Sequence, residues 1–239
     1  MADYELYYWQ MPFRGQFVRA ILAWAGQRWI EHDDERVAQA MDAGVREQAI
    51  PFKGPPMIVD RRSGFALAQM PAIASWLGER HGLLPASADG KALALKVVCD
   101  ANDVIDELTL DGGQHMWSPA RWQDYRDERL LRWMAIWEET GRRHGLAVRA
   151  GHLLGGPAPD VADLATATLW GTLADHFPAI GELLQARAPA VAGLVRRLMA
   201  EPALANLARV SREQFGQAYC GGDIEKSMRR VINHHLAPD

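Results

Sequence analysis

The sequence predicts a two-part chain: a small α/β unit followed by a region made only of helices. Three observations carry this expectation. Short β-favouring runs alternate with helical patterns from Tyr4 to Leu83, the order of an α/β sandwich whose first strands are parallel. Pro85-Ala86-Ser87-Ala88-Asp89-Gly90 then mixes turn formers with small residues, as a linker does. Beyond it the apolar residues recur only at helical spacing, first in the stripe Val97, Ala101, Val104, Ile105 and Leu108. The expected boundaries are 1–84 for the α/β unit, 85–90 for the linker and 91–239 for the all-α region.

Taken in order, Tyr4 to Trp9 is rich in aromatics and suits a first strand. Pro12 to Gly15 breaks it, and Phe17, Val18, Ile21, Leu22 and Trp24 favour a helix closed by Gly26. Trp29-Ile30-Glu31-His32 reads as a second strand, and Ala38 to Gln48 as weakly helical and polar. Met57-Ile58-Val59 and Phe65-Ala66-Leu67 flank Arg61-Arg62-Ser63-Gly64, which has the turn chemistry of a hairpin. Pro56 directly precedes the first of these strands, which makes it a candidate cis-proline in a tight turn. Pro71 fits the first turn of a helix, Ala72, Ile73, Trp76 and Leu77 repeat at helical spacing, and Gly82 stands where a C-cap glycine belongs. In the second region Leu130, Trp133, Met134 and Trp137 form another stripe, and Asp160-Val161-Ala162-Asp163 resembles a capping box. Pro178, Pro189 and Pro202 punctuate three shorter helices.

Bulk properties exclude several classes. A formal net charge of -4 argues against general nucleic-acid affinity, which needs a basic surface. Cys99 and Cys220 set no disulfide framework and fit no zinc spacing, so a reducing, intracellular setting is expected. The start lacks a basic segment followed by an apolar core, and no apolar run approaches the ~18 residues of a membrane span. A cytoplasmic protein without membrane contact is the expectation. His234-His235 has no partner pair for a metal, so no metal is expected. Asp33-Asp34-Glu35 and Glu138-Glu139 read as solvated charge clusters, and Lys226 to His235 as a basic tail.

One stretch points to a family. Pro56-Met57-Ile58-Val59-Asp60, a turn, a short strand, then Gln69-Met70 opening a helix that ends in His81-Gly82-Leu83 resembles the second half of the thioredoxin-like domain of the glutathione transferases. The family's serine or threonine is methionine at position 70. Arg19-Ala20-Ile21-Leu22-Ala23-Trp24-Ala25-Gly26 looks like a run of the pi and mu classes, and the Asp160–Asp163 box resembles the capping motif of their helical domain. The resemblance spans nearly the whole chain and implies a thioredoxin-like N-terminal domain followed by an all-α C-terminal domain.

What the resemblance implies about chemistry is specific. Such enzymes bind glutathione as co-substrate and stabilise its thiolate, lowering a thiol pKa that is otherwise about 8.5. Tyr7, Tyr8 and Gln10 lie near the position of the family's catalytic hydroxyl. Counting back from Arg19 without a gap places Tyr8 on the catalytic tyrosine and Arg14 on a residue that helps hold the glycyl carboxylate. Registering on Arg14-Gly15 instead would place Gln10 there and leave no acid. The first register keeps the helix length and is preferred; otherwise Tyr8 is a core tyrosine on a buried strand.

By the same resemblance Gln69 and the Met70 backbone N–H hold the γ-glutamyl end, at a helix start that attracts carboxylates. Methionine cannot supply the family's hydroxyl bond and caps a helix poorly, while backbone N–H and dipole remain. Pro55, ahead of Pro56, offers its carbonyl to the cysteinyl amide, and Lys53 can meet a carboxylate. Asp103 resembles an acid that reaches across a dimer interface to the glutamyl amine, with Asp100 competing for that role. Met11, Met116 and Trp117 are candidates for the electrophile wall, and core packing is the alternative for the aromatics. The implied protein is a homodimeric detoxification enzyme that conjugates glutathione to a small apolar electrophile. A glutathione-dependent peroxidase, or a binding protein that kept the fold without the activity, are the alternatives.

Overall fold

The computed structural model describes residues 2–234, with side chains through residue 232. Four strands, β1 (Tyr4–Tyr7), β2 (Trp29–Glu31), β3 (Met57–Asp60) and β4 (Ala66–Ala68), form one sheet in the order β2-β1-β3-β4. β1 pairs parallel with β2, and antiparallel pairing joins β1 to β3 and β3 to β4. The parallel pair is connected through α1 (Arg14–Trp24), as a βαβ crossover requires. The first strand stops at Tyr7, two residues earlier than the aromatic run suggests.

The second helix also departs from the sequence reading. α2 spans Asp34–Asp42 and starts early because the Asp33 side chain accepts the Arg36 N–H. Asp34 in turn accepts the Gln10 N–H at 3.0 Å. The Asp33-Asp34-Glu35 cluster is therefore a helix start and a loop tether, where a solvated face was expected. α3 (Met70–Arg80) follows the hairpin and ends ahead of Gly82, whose φ of +68° is the left-handed conformation expected of its cap.

α4 (Ala88–Leu108) opens inside the stretch read as a linker, because the Ser87 hydroxyl caps it through the Gly90 N–H. Past Thr109 the backbone makes a left-handed turn in which Leu110, Asp111, Gly112 and Gly113 all have positive φ. α5 (Pro119–Asp124) runs through a π-helical turn (Tyr125–Leu130) into α6 (Leu131–Arg143).

α7 (Val161–His176) is buried along nearly its whole length, and its capping box is formed by Asp160 and Asp163. Around it lie α8 (Pro178–Arg187), α9 (Pro189–Met199), α10 (Pro202–Phe215) and α11 (Gly222–His234). Glu138, expected on a solvated face, accepts the Ala190 and Val191 N–H groups at the start of α9. α1 packs on α3 from the sheet side and on α7 and α10 from the helical side, so one continuous core joins the two regions. Among the described residues no helix is long and apolar enough to cross a membrane. His235 lies outside the described residues, and of the His234 side chain nothing is described.

Candidate functional site

Strand register gathers the site. Tyr7 pairs with Met57, and Met57 pairs with Ala68. One step beyond, at the same edge of the sheet, stand Tyr8, Pro56 and Gln69. The Pro55–Pro56 bond is cis, and Gln69 has φ of 76° and ψ of 115° as it turns the chain from β4 into α3. Its side chain is exposed and makes no capping bond, so it is left facing outward from the helix start.

The two candidate tyrosines part at the end of β1, because successive side chains of an extended chain point to opposite faces. Tyr7 stacks on His32 at 4.0 Å, donates to Glu5 at 3.4 Å, and packs with Val37 and Met57 on the α2 side. Tyr8 turns into the main core, 2% exposed, and its hydroxyl oxygen accepts the Arg14 N–H at 2.8 Å. That oxygen sits on the N-terminus of α1, where free N–H groups are concentrated. Burial pushes the Tyr8 phenol up to about 12, against the opposing influence of Arg14, Arg19 and the Gly15 N–H. The phenol therefore stays protonated at neutral pH. With its oxygen occupied as an acceptor, the hydroxyl keeps its proton as a donor.

Two residues that the sequence reading did not single out as site residues hold this geometry. A Cβ on Gly15 would lie 2.3 Å from Tyr8 Cδ1 and 2.5 Å from Cγ, so only a glycine lets α1 approach the ring this closely. Arg19, fully buried, pairs with Glu31 at 2.7 Å, donates to the Met11 carbonyl at 2.9 Å, and lies over the Tyr8 ring. A buried charge needs such partners, and here they pin the loop between Tyr8 and α1. Glycine seven residues past Tyr8, at a helix start, was the one sequence signal available.

The remaining candidates are placed as follows. Arg14 reaches α4, with its guanidinium 2.8 Å from Asp106 and 3.4 Å from Asn102. Asp103 is exposed on the same helix; burial, then Asp100, Glu107 and Asp106, raise its carboxyl. Asp100 is ion-paired with Lys96. Lys53 is exposed and Pro55 half-buried, both in the loop that leads to β3. The Met70 side chain is 1% exposed and belongs to the core. Met116 is 42% exposed, whereas Trp117 is buried and donates its indole N–H to the Leu108 carbonyl at 2.9 Å. Trp117 lines a cavity of about 360 Å³ that begins at Asp106. Met11 lies on the other side, against Gly221. Cys99 is half-buried, and burial with the Asp103 and Asp100 carboxylates raises its thiol.

Tyr219 and Gly221 cover the Tyr8 loop. Tyr219 packs edge-on against Phe13 at 5.4 Å, and Tyr8 is among the groups that act on its buried phenol. The segment is held by Glu225, whose Oε2 accepts the N–H groups of Tyr219, Cys220 and Gly221 at 2.9, 2.9 and 2.6 Å. Arg229 pairs with the other oxygen and lies over Phe177. Arg229, in the stretch read as a basic tail, is thus part of the packed structure.

Comparison with known proteins matches this architecture. No curated protein matches the chain. Among solved structures it resembles NaGST-2 with 21% identity and a TM-score of 0.69, over 87% of this chain and 97% of that one. A Nu-class glutathione transferase from Haemonchus contortus gives 20% identity and a TM-score of 0.68, over 88% and 98%. The monomeric Na-GST-3 of the hookworm Necator americanus gives 20% and 0.68, over 87% and 97%. At these identities the likeness speaks for the fold. The sequence model of the glutathione S-transferase C-terminal domain matches residues 93–231, more than half of the chain. With a small mixed sheet ahead of that helical region, the chain belongs to the glutathione S-transferase family.

Proposed function

We propose that the protein is a glutathione transferase in which Tyr8 stabilises the glutathione thiolate for attack on an electrophile. The observation that carries this reading is the Tyr8 hydroxyl, protonated, accepting from Arg14, and fixed at the N-terminus of α1, on a residue one step past the strand register that leads to Pro56. A phenol that remains neutral at pH 7 donates to a thiolate without competing for its negative charge, and so favours the ionised thiol. Gln69 and the N-terminus of α3 would receive the γ-glutamyl carboxylate, and the Pro55 carbonyl the cysteinyl amide. Arg14 and Lys53 would serve the glycyl end, and Asp103 the glutamyl amine of a partner subunit. Met11, Met116 and Trp117 would contribute to the second-substrate wall.

The reading includes a glutathione-binding domain over 1–84, a linker over 85–90 and a helical domain over 91–239, a cytoplasmic setting and a homodimer acting in detoxification. Because a structural relative is described as monomeric, the dimer is to be measured by sedimentation.

The test is titration with glutathione, followed by heat or tryptophan fluorescence, with Tyr8→Phe alongside. Millimolar or tighter binding, with a thiolate absorbance lost in the variant, supports the assignment. Binding with an unchanged thiolate signal in Tyr8→Phe removes Tyr8 from the role. No binding at cellular glutathione levels favours a second reading, a protein that kept the fold for binding alone, which the buried Met70 in place of the family's hydroxyl supports.

A further inference from the structure

We propose that the cavity at the end of α4 binds an organic cation, specifically an aromatic compound bearing a protonated amine. The proposal deepens the transferase reading, since Trp117 belongs to the second-substrate wall proposed above, and it is tested without glutathione so that it can fail separately.

The floor of this cavity of about 360 Å³ is apolar, made by Leu110, Trp117 and Tyr125. Trp117 meets the Tyr125 ring at 5.1 Å and Trp122 edge-on at 5.3 Å, so the floor is part of an aromatic cluster. The mouth is acidic. Asp106, Glu107, Asp111, Asp124 and Glu128 line it, against two cations, Arg121 and Arg129. Asp106 is paired with Arg14 and Glu107 with Arg129, which leaves Asp111, Asp124 and Glu128 without an ion pair among the described residues. Three unpaired carboxylates against the one remaining guanidinium, Arg121, repel an anion, and aromatic faces below them attract an ammonium.

A second observation is independent of the charges. The Tyr125 hydroxyl is buried and has no hydrogen-bond partner, although buried tyrosine hydroxyls ordinarily find one. Glu107 and Arg129, which line the same cavity, are the charges that act on it. Tyr125 also opens the π-helical turn, an irregularity frequent at functional sites. The acids are spread around the mouth: among the described residues no group of three His, Cys, Asp or Glu is placed to hold a metal ion. Spread charge over an aromatic floor suits a bulky monovalent cation.

The experiment is calorimetry in the absence of glutathione, with 2-naphthylmethylammonium and its neutral counterpart 2-naphthylmethanol as probes. The amine is expected to bind roughly tenfold tighter than the alcohol at low ionic strength, and the gap to narrow as salt is added. Asp111→Asn, Asp124→Asn and Glu128→Gln together keep the shapes, asparagine tolerating the positive φ at 111, and should erase the gap. Tyr125→Phe removes no existing bond, so it should keep the thermal stability while weakening the amine. Equal affinity for the two probes, or an amine affinity unchanged in the triple variant, overturns the proposal.

Discussion

Replacing Gly15 by alanine tests how tightly the Tyr8 hydroxyl is held. Gly15 lies in the first turn of α1, where alanine would ordinarily stabilise a helix by about 0.4–1 kcal/mol. Here the new Cβ would meet Tyr8 Cδ1 at 2.3 Å, short of an ordinary carbon contact by about 1.2 Å. The ring has little room to yield, with Arg19 over it and its hydroxyl bonded to the Arg14 N–H. Either the ring slides or the first turn of α1 lifts, and both move the hydroxyl relative to the N–H that orients it. Overpacking of this kind costs about 1–3 kcal/mol, so the expected sign is opposite to the helix-propensity rule. A displacement near 1 Å at a reacting group costs on the order of a hundredfold in rate. Urea denaturation reads the first effect. The pH at which bound glutathione develops its thiolate absorbance reads the second, and should move upward. A Gly15→Ala protein that is more stable than the parent, with an unchanged thiolate titration, would refute the reasoning.

Three other outcomes follow from the geometry. Met70→Ser restores a hydroxyl at the start of α3 and should tighten glutathione roughly tenfold to a hundredfold by calorimetry, while losing about 2–5 kcal/mol of stability because the methionine is fully buried; a folded variant with unchanged affinity contradicts the role of the α3 start. Burial and the neighbouring Asp163 push the Asp160 carboxyl up to about 6, from 3.8, so the folded protein holds a proton that the unfolded chain releases, and stability falls by about 3 kcal/mol as pH rises from about 4 to 6. Asp160→Asn keeps an acceptor for the α7 cap, and its denaturation midpoint should lose that slope; an identical slope in both proteins places the titration elsewhere. Glu225→Gln should cost about 1.5–3 kcal/mol in urea denaturation, because three N–H groups and Arg229 lose a charged acceptor. Its backbone bonds hold the Glu225 carboxyl below the usual range despite burial, so this contribution is present at neutral pH and is lost on acidification through that lowered pKa.

Much of the fold was legible because local patterns and the tertiary structure agree. The Asp160–Asp163 box, the positive φ at Gly82 and the cis bond at Pro56 all stand where the sequence placed them. What failed was charge. Asp33 and Glu138 looked like solvated acids and are helix caps, since a carboxylate at an N-terminus has the same local appearance as one in water. In the site, Tyr8, Pro56 and Gln69 could be named from short motifs. Their meeting depends on the β1–β3 and β3–β4 registers, which no single stretch encodes. Asp106, Tyr125 and Tyr219 were out of reach for the same reason: each acquires its place from a residue far away in the chain, as in the 92-residue separation of Arg14 and Asp106.

The Glu225 contacts have a bearing on synthesis. Phe13 and Met11 are covered by Tyr219 and Gly221, so the loop that carries Tyr8 is finished by residues translated some two hundred positions later. During vectorial synthesis the sheet and α1 emerge first and can pair, since domains fold from the N-terminus onward. Their aromatic loop then waits uncovered until Tyr219 to Glu225 have followed. A chain stopped short of Glu225 would carry every residue of the proposed thiolate site and still present that loop to solvent, which makes Glu225 a late condition for covering it.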